Sequence, residues 1–324
     1  MESQDHIAIG IALLAGTLLF IGQRYFRRPR GRFPFWGWSG LAIILSAELL
    51  LGLHALWWVT TYFTPIAWTG YILLADALVA SLKGESRLRD APRSFVALAF
   101  WSVPLWLIFE AYNLRLKNWI YVGMPLSAGL EALGYVWAFA TIWPAIYETA
   151  DLVEALGLFQ ATSKLRQPAT PAVRTLIASS GLILLAVPLL VPPRIASYLF
   201  GAVWLGFALL LDPLNYRWRG PSLLREFETG SDAKLASLLL AGWVCGILWE
   251  SWNYWAGAHW VYIFSIGQSL KIFQMPAPGF LGFPPFAVEC WVMFECLRTF
   301  KHRFVAVHRT APAPATADLD RGTP

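Results

Sequence analysis

Four glutamates lie in apolar stretches of the sequence, where a charged side chain is costly. Glu250 ends the run GILWE and Glu289 lies within FAVECWVMF, while the first half of the chain carries Glu110 and Glu131 in similar settings. An ionisable residue at membrane depth favours a functional site by default. Burial away from water favours the neutral carboxyl form, so these four residues are the candidate catalytic acids and bases.

Aromatic and amide side chains lie between the glutamates of each half. Asn113 and Asn253 each follow a glutamate by three residues, so amide and carboxyl share a helix face. Ring faces can also stabilise a cation. The candidate substrate-binding residues are Asn113, Trp119, Tyr121, Trp252, Asn253, Trp260 and Tyr262. A structural alternative stays open, because Asn near a helix end caps backbone groups and Trp and Tyr are typical of the membrane interface.

Other kinds of chemistry find little support in the sequence. It contains no metal-ligand spacing such as HExxH, no phosphate loop and no nucleophile elbow. Cys245, Cys290 and Cys296 lie in apolar runs without CxxC spacing and are interpreted as small core residues. We therefore expect no cofactor, no metal and no nucleic-acid partner.

The composition predicts an integral membrane protein. Of 324 residues, 57% are hydrophobic and 14% are charged, whereas soluble domains contain about 25% charged residues. Apolar runs of a length that crosses a bilayer predict an all-α, polytopic transmembrane bundle of about nine spans, near residues 7–23, 37–57, 65–82, 94–112, 127–148, 175–191, 196–212, 235–253 and 282–300.

The basic residues indicate the orientation. With the N-terminus outside, the cytoplasmic segments are 24–32, 83–93, 164–174, 217–234 and the tail from 298, and these hold 21 of the 25 Lys and Arg residues. Such a bias follows the positive-inside rule. We predict a multi-pass protein of the cell membrane with its N-terminus outside and its C-terminus in the cytoplasm.

The spans form an internal repeat. Residues 66–78 align without gaps to 202–214, which pairs Trp68 with Trp204 and Asp76 with Asp212. Further along, the two halves pair Glu110 with Glu250 and Glu131 with Glu289. Each unit holds an even number of spans, so the repeat is parallel. The predicted divisions are an N-terminal helix and basic loop (1–33), two four-helix repeats (34–157 and 175–300), a cytoplasmic linker between them (158–174) and a disordered cytoplasmic tail (301–324).

The second half resembles the heterodimeric type of lycopene cyclase and the related carotenoid hydratases, on a pattern made by Asn253, Gly257, Trp260, Tyr262, Gly282, Pro285, Glu289 and Phe294. Both groups are built from duplicated membrane units. One difference is that the family has an acidic doublet directly after the proline, whereas three apolar residues separate Pro285 from Glu289.

The resemblance implies redox-neutral acid and base catalysis on a lipid-soluble isoprenoid. Glu289 or Glu131 would protonate a terminal alkene, and Glu250 or Glu110 would remove a proton afterwards. Ring faces of Trp252, Trp260 and Tyr262 would hold the carbocation. A proton-coupled transporter and a non-catalytic membrane scaffold are the alternatives. The expected partners are the lipid bilayer and the isoprenoid, with a homo-oligomer as a further option.

Overall fold

The computed structural model describes residues 2–160, 167–264 and 266–310, which form an all-α bundle with four short strands. The helices are α1 (Glu2–Phe26), α2 (Phe35–Gly52), α3 (Trp57–Thr61), α4 (Phe63–Lys83), α5 (Arg87–Asp90), α6 (Pro92–Leu116), α7 (Ala128–Ala155), α8 (Pro171–Leu190), α9 (Pro193–Ala196), α10 (Phe200–Arg217), α11 (Leu223–Glu228), α12 (Ala233–Trp255) and α13 (Phe283–Thr310). The strands are β1 (Trp119–Val122), β2 (His259–Tyr262), β3 (Lys271–Ile272) and β4 (Met275–Pro276), and a 3₁₀ helix (Ala277–Gly282) precedes α13.

Seven helical segments of the described residues are long and apolar enough to cross a membrane, as an integral membrane protein requires. They correspond to seven of the predicted spans. The other two predicted spans, 127–148 and 196–212, coincide with α7 and α10, which are long helices but are not among the seven. The total of nine spans and the orientation of the termini stay predictions.

Helix boundaries follow local sequence signals. Helices α6 and α8 begin with proline, which has no N–H to leave unpaired in the first turn. The side chain of Thr170 caps α8 by accepting the N–H of Val173 at 3.3 Å. Helix α4 ends at Gly84, whose φ of 78° suits glycine better than any other residue.

The helices divide into a buried centre and an exposed periphery. In the apolar windows of α4, α12 and the segment containing α13, 61%, 72% and 78% of the residues are buried, against 6–22% in α1, α2, α6 and α8. The peripheral helices expose large apolar side chains such as Leu19, Phe100 and Leu176. Exposed apolar surface of this extent is what contact with lipid requires.

Glycines let pairs of helices approach closely at matching places in the two halves. A Cβ atom on Gly40 of α2 would lie 2.4 Å from the carbonyl oxygen of Gly70 in α4, and a Cβ on Gly181 of α8 would lie 2.7 Å from that of Gly206 in α10. Small residues at such contacts are typical of membrane helix pairs. Gly242 of α12 likewise lies against the backbone of Phe283, where a Cβ atom would be 2.3 Å from the carbonyl oxygen.

Asp76 and Asp212 hold the starts of two short helices. Asp76 accepts the N–H of Leu88 at 2.8 Å, and Asp212 accepts those of Leu223 and Leu224 at 2.7 and 3.0 Å. A carboxylate at a helix N-terminus satisfies free backbone donors and interacts well with the helix dipole. Asp76 and Asp212, which the sequence repeat pairs, thus both cap the start of a short helix.

Two predicted boundaries differ from the structure. Helix α13 continues to Thr310, so residues 301–310 are helical instead of part of a disordered tail, while 311–324 lie outside the described residues. Helix α8 begins at Pro171, inside the predicted linker 158–174, of which residues 161–166 are also outside the described ranges. Both helices extend beyond their apolar runs, because polar residues of good helix propensity continue a helix once it has formed.

Replacing Gly40 by leucine should destabilise the fold, because the new side chain meets the α4 backbone. We expect a loss of about 1–3 kcal/mol or more, as for overpacked cores, seen as a lower thermal unfolding midpoint in detergent. Gly16→Leu is the matched control, since no other atom lies within 4 Å of a Cβ at Gly16. Equal midpoints for the two variants would contradict the packing described here.

Candidate active site

The site is organised by an antiparallel sheet of two strands, one from each half of the chain. Strands β1 and β2 pair so that Trp119 lies opposite Tyr262, Tyr121 opposite Trp260, and Ile120 opposite Val261. Side chains of alternate residues share a face of a sheet, so both Trp–Tyr pairs lie on the same face. If β1 and β2 exchange places, Trp119 takes the position of Trp260 and Tyr121 takes that of Tyr262, so the pairing stays the same. A twofold axis through the Ile120–Val261 pair would have this effect.

Asn113 and Asn253 anchor these strands. The amide of Asn253 accepts the N–H of Trp260 and donates to its carbonyl, both at 2.9 Å. Asn113 makes the same two bonds to Trp119, at 3.2 and 2.9 Å, and accepts the N–H of Asn118 at 2.8 Å. Their amides therefore serve the backbone, which agrees with the structural alternative and differs from the predicted role in substrate binding.

Glu110 is the acceptor of three side-chain hydrogen bonds. Its Oε1 receives the hydroxyl of Tyr121 at 2.5 Å, the indole N–H of Trp106 at 2.8 Å and that of Trp119 at 3.3 Å. The residue lies one turn before Asn113 on α6. The same helix end therefore fixes both the backbone of β1 and the ring of Tyr121.

Glu250 forms the corresponding pair in the other half. The hydroxyl of Tyr262 donates to Glu250 Oε1 at 2.6 Å, and the indole N–H of Trp260 donates to the Tyr262 oxygen at 2.8 Å. Glu250 is fully buried, and its Oε2 has no hydrogen-bond partner among the described residues. A buried carboxyl oxygen without a hydrogen-bond partner costs free energy. The packing around Glu250 must therefore offset the cost of keeping its Oε2 away from water.

The tyrosines of both pairs are kept in the hydroxyl form. Burial and then the neighbouring Glu110 raise the pKa of Tyr121 well above its usual range. Burial and then Glu250 do the same to the pKa of Tyr262. Both effects disfavour the phenolate, so the two hydroxyls remain hydrogen-bond donors through neutral and moderately alkaline pH.

An aromatic cavity of about 140 Å³ lies beneath this sheet. The four aromatic residues of β1 and β2 that share a face all line it. The helices add further rings, chiefly Trp68, Trp106, Trp204, Trp249, Phe283 and Phe286. No Asp or Glu is part of the lining among the described residues. Glu250 adjoins the cavity through Tyr262, and Glu110 adjoins it through Tyr121 and the indoles of Trp106 and Trp119.

Glu131 and Glu289, the other two candidate catalytic residues, are not in this arrangement. Glu289 is fully buried, and its Oε1 accepts the backbone N–H of Phe207 in α10 at 2.9 Å. Glu131 lies in the first turn of α7, half-buried next to Tyr135. The predicted proton donors thus lie outside the cavity.

The contacts of α6 and α12 show that Glu131 and Glu289 do not occupy equivalent positions in the two halves of the chain. Aligning Glu110 with Glu250 places Ser102 of α6 at the position of Gly242 of α12. Ser102 donates a hydrogen bond to the carbonyl of Phe139. Gly242 lies against the carbonyl of Phe283, 2.3 Å from a Cβ at that glycine. Phe139 therefore corresponds to Phe283. Glu131 precedes this position and Glu289 follows it.

The two halves also differ at the strand end of the bundle, the end that carries β1 and β2. Helix α7 begins at Ala128, several turns before Phe139, whereas α13 begins at Phe283 itself. The β3–β4 hairpin and the 3₁₀ helix precede α13 instead of further α-helical turns. The aromatic cavity is therefore bordered by a long helix on one side and by irregular chain on the other.

Sequence reasoning assigned some cavity residues and missed others. Trp119, Tyr121, Trp260 and Tyr262 line the cavity, but Trp252 does not, because it packs on Trp68 and donates to Glu48 at 2.9 Å. Trp68 and Trp204 also line the cavity, although the sequence analysis gave them no role. Their pairing by the repeat was the signal that could have identified them. His259 also lines the cavity.

Glu295 belongs to a different group, towards the opposite end of the bundle. It accepts the hydroxyl of Tyr147 at 3.3 Å and is paired with Arg298 at 2.6 Å. Nearby, Arg87 pairs with Asp151 at 2.5 Å. These contacts join α5, α7 and α13 and have no connection with the aromatic cavity.

Comparison with protein-family models, with curated proteins and with solved structures finds no match for this chain. The site itself combines an enclosed set of ring faces with two carboxyl–phenol pairs. Such a combination can bind an apolar molecule, stabilise positive charge on it and move a proton at the position of a tyrosine hydroxyl.

Removing the hydroxyl of Tyr262 should cost more stability than removing that of Tyr121. Tyr262→Phe deprives the fully buried Glu250 of its phenol donor, and we expect a loss of about 1–3 kcal/mol. Glu110 keeps the two indole donors after Tyr121→Phe, so the loss should be smaller. Unfolding of both variants in one detergent measures the difference. Equal losses would show that the indoles do not support Glu110.

Proposed function

We propose that this protein is an integral membrane enzyme that adds and removes a proton on a lipid-soluble isoprenoid bound in the aromatic cavity. The reaction is redox-neutral, of the kind that carotenoid cyclases and hydratases perform. The observation that carries the proposal is the meeting of two Tyr–Glu pairs, Tyr121–Glu110 and Tyr262–Glu250, at one ring-lined cavity.

The cavity suits a substrate whose reaction passes through a carbocation. Each desolvated ring face within reach of a cation contributes up to about 2 kcal/mol. Rings approach from both strands and from several helices; Trp204 and Phe286, for example, have centroids 6.5 Å apart. Water would capture a carbocation, so an apolar lining also protects the intermediate.

Proton transfer in this proposal runs through the tyrosines. For this step the neutral Glu250 carboxyl donates to the Tyr262 oxygen and the Tyr262 hydroxyl turns towards the cavity, which reverses the hydrogen bond seen in the structure. The Glu250 proton then passes to the Tyr262 oxygen while the Tyr262 hydroxyl proton goes to the alkene, whose π electrons form the new C–H bond. Attack by a second alkene of the same molecule on the carbocation closes a ring. Loss of a proton to the Tyr121–Glu110 pair then gives an isomer of the substrate. Capture of water by the carbocation, with loss of one of the water protons to the same pair, gives a hydrate instead.

These roles revise the expectation from the family resemblance. That expectation gave the proton donor to Glu289 or Glu131, whereas the proposal gives it to Glu250, because Glu250 is the fully buried carboxyl with a hydrogen bond to a cavity side chain. Glu110 keeps its role as the acceptor of a proton.

We extend the proposal to the architecture. The chain forms two parallel four-helix repeats preceded by α1 and crosses the membrane nine times. The end of the bundle that carries β1 and β2 faces the outside of the cell. The matching glycine contacts of α2–α4 and α8–α10 support the repeat, as does the exchangeable register of β1 and β2. The positive-inside bias of the loops supports the orientation.

A proton-coupled carrier is the second candidate, and Glu148 favours it. This residue of α7 is fully buried, and neither carboxyl oxygen has a hydrogen-bond partner among the described residues. A buried carboxyl remote from the cavity suits a proton path through the bundle. Proton flux into vesicles that depends on Glu148 would favour the carrier.

The proposed enzyme can be tested by isotope incorporation. Purified protein in vesicles is given a linear carotenoid in deuterated water, and a protonated product should carry deuterium. Glu250→Gln should lower the rate about 10²–10⁴-fold, the usual contribution of a general acid, and Tyr262→Phe should do the same. Glu85→Gln, at an exposed position, is the matched control and should keep full activity.

Product without deuterium, or equal activity of Glu250→Gln and Glu85→Gln, would overturn the proposed mechanism. A product of unchanged mass apart from the label indicates cyclisation or isomerisation. A product heavier by one water indicates hydration.

A further inference from the structure

A second hollow lies beside the aromatic cavity. This groove, of about 310 Å³, runs between the start of α10 and the chain that precedes α13. It is lined mainly by apolar residues, among them Gly201, Leu205, Ile266, Met275, Leu281 and Pro285. Neither Glu110 nor Glu250 is among its lining residues, and the proton-transfer step described above takes place on its other side, in the aromatic cavity.

The groove and the aromatic cavity are separated only by shared rings. Trp119, Phe200, Trp204 and Tyr262 line both of them. The centroids of Trp119 and Phe200 are 4.9 Å apart, and those of Phe200 and Trp204 are also 4.9 Å apart. A change of rotamer in these side chains would join the two hollows into one passage.

Gly282 leaves room for the indole of Trp204 in this wall. A Cβ atom at Gly282 would lie 1.2 Å from a ring carbon of Trp204, so only glycine allows the indole to lie there. Trp204 stacks on Phe283 at 6.4 Å. The Trp204 indole is therefore held between the groove and the cavity by packing, and it takes part in no side-chain hydrogen bond among the described residues.

The far side of the groove opens on the apolar surface of the bundle. Tyr198, Leu205, Ile266 and Leu281 are 55%, 45%, 41% and 78% exposed. Helices α8 and α10 also carry exposed apolar side chains, among them Leu182, Ile183 and Leu205. In a membrane this surface faces acyl chains, so the groove is open sideways to lipid.

We propose that the groove holds the chain of a long linear isoprenoid whose terminal group lies in the aromatic cavity. The substrate enters from the bilayer past Phe200 and Trp204, and its remaining chain stays in the groove, with its far end in lipid. This inference rests on the proposed function, because the occupant is taken to be the same isoprenoid. It adds that the substrate binds end-on and that chain length affects binding.

Gly201 offers a substitution that fills the groove without disturbing the fold. It lies in the first turn of α10, and no other atom comes within 4 Å of a Cβ at this position. Gly22 in α1 has the same open surroundings and is remote from the groove. Gly201→Trp and Gly22→Trp therefore form a matched pair.

The test uses the full chain in lipid nanodiscs and two photoactivatable probes, geraniol and geranylgeraniol, each with a diazirine attached at its oxygen. The short probe should label cavity residues. The long probe should label groove residues such as Leu205 and Leu281, mapped by mass spectrometry. Gly201→Trp should weaken binding of the long probe at least about tenfold and leave the short probe unchanged, and Gly22→Trp should change neither.

Each contrary outcome has a separate meaning. If the short probe labels the cavity but the long probe labels other surfaces, or is unaffected by Gly201→Trp, the groove proposal is wrong and the proposed function stands. If neither probe labels the cavity, the proposed function fails as well. If excess unlabelled geranylgeraniol does not compete with the long probe, the groove holds ordinary membrane lipid, which also overturns the proposal.

Discussion

The pairing of β1 with β2 is the constraint on which the site depends. Backbone N–H and C=O groups in or near a membrane need partners within the protein, and here a segment from each half provides them for the other. Asn113 and Asn253 complete the pairing from the ends of α6 and α12. Because alternate residues of a strand share a face, the same pairing turns two tryptophans and two tyrosines towards one hollow. The positions of the four rings thus follow from the hydrogen bonds that the backbones of β1 and β2 form with each other.

The tyrosines separate the carboxyl groups from the ligand space. A glutamate that lined the cavity directly would put a strongly hydrated group against an apolar molecule, at a high cost in desolvation. With Tyr262 in front of Glu250 and Tyr121 in front of Glu110, the surface presented to the ligand is a ring with one hydroxyl. In the proposed function, this arrangement keeps the binding space apolar while a carboxyl group that can supply a proton lies one side chain away.

Most of the fold and part of the site could be predicted from the sequence. Apolar runs identify helices because burial in lipid demands them, and the i, i+2 spacing of Trp119 and Tyr121 gives them one face. The equivalence of Glu131 and Glu289 was wrong because the chain before α13 contains a hairpin and a 3₁₀ helix, and sequence spacing cannot show which turn of a helix such an insertion replaces. Trp252 was predicted to bind substrate and does not line the cavity, whereas Trp204 was given no role and does line it. Both are apolar helix residues, and only packing decides which of them borders the cavity.

The inequality of the two halves gives the bundle a direction that a symmetric dimer of one unit would lack. The long start of α7 covers one flank of the cavity, whereas the other flank, before Phe283, leaves a single groove. A linear molecule with two identical ends would then present one end at a time. In the proposed function, reaction at the second end requires the molecule to withdraw into the bilayer, turn around and enter again, so a product modified at one end should accumulate before the doubly modified one.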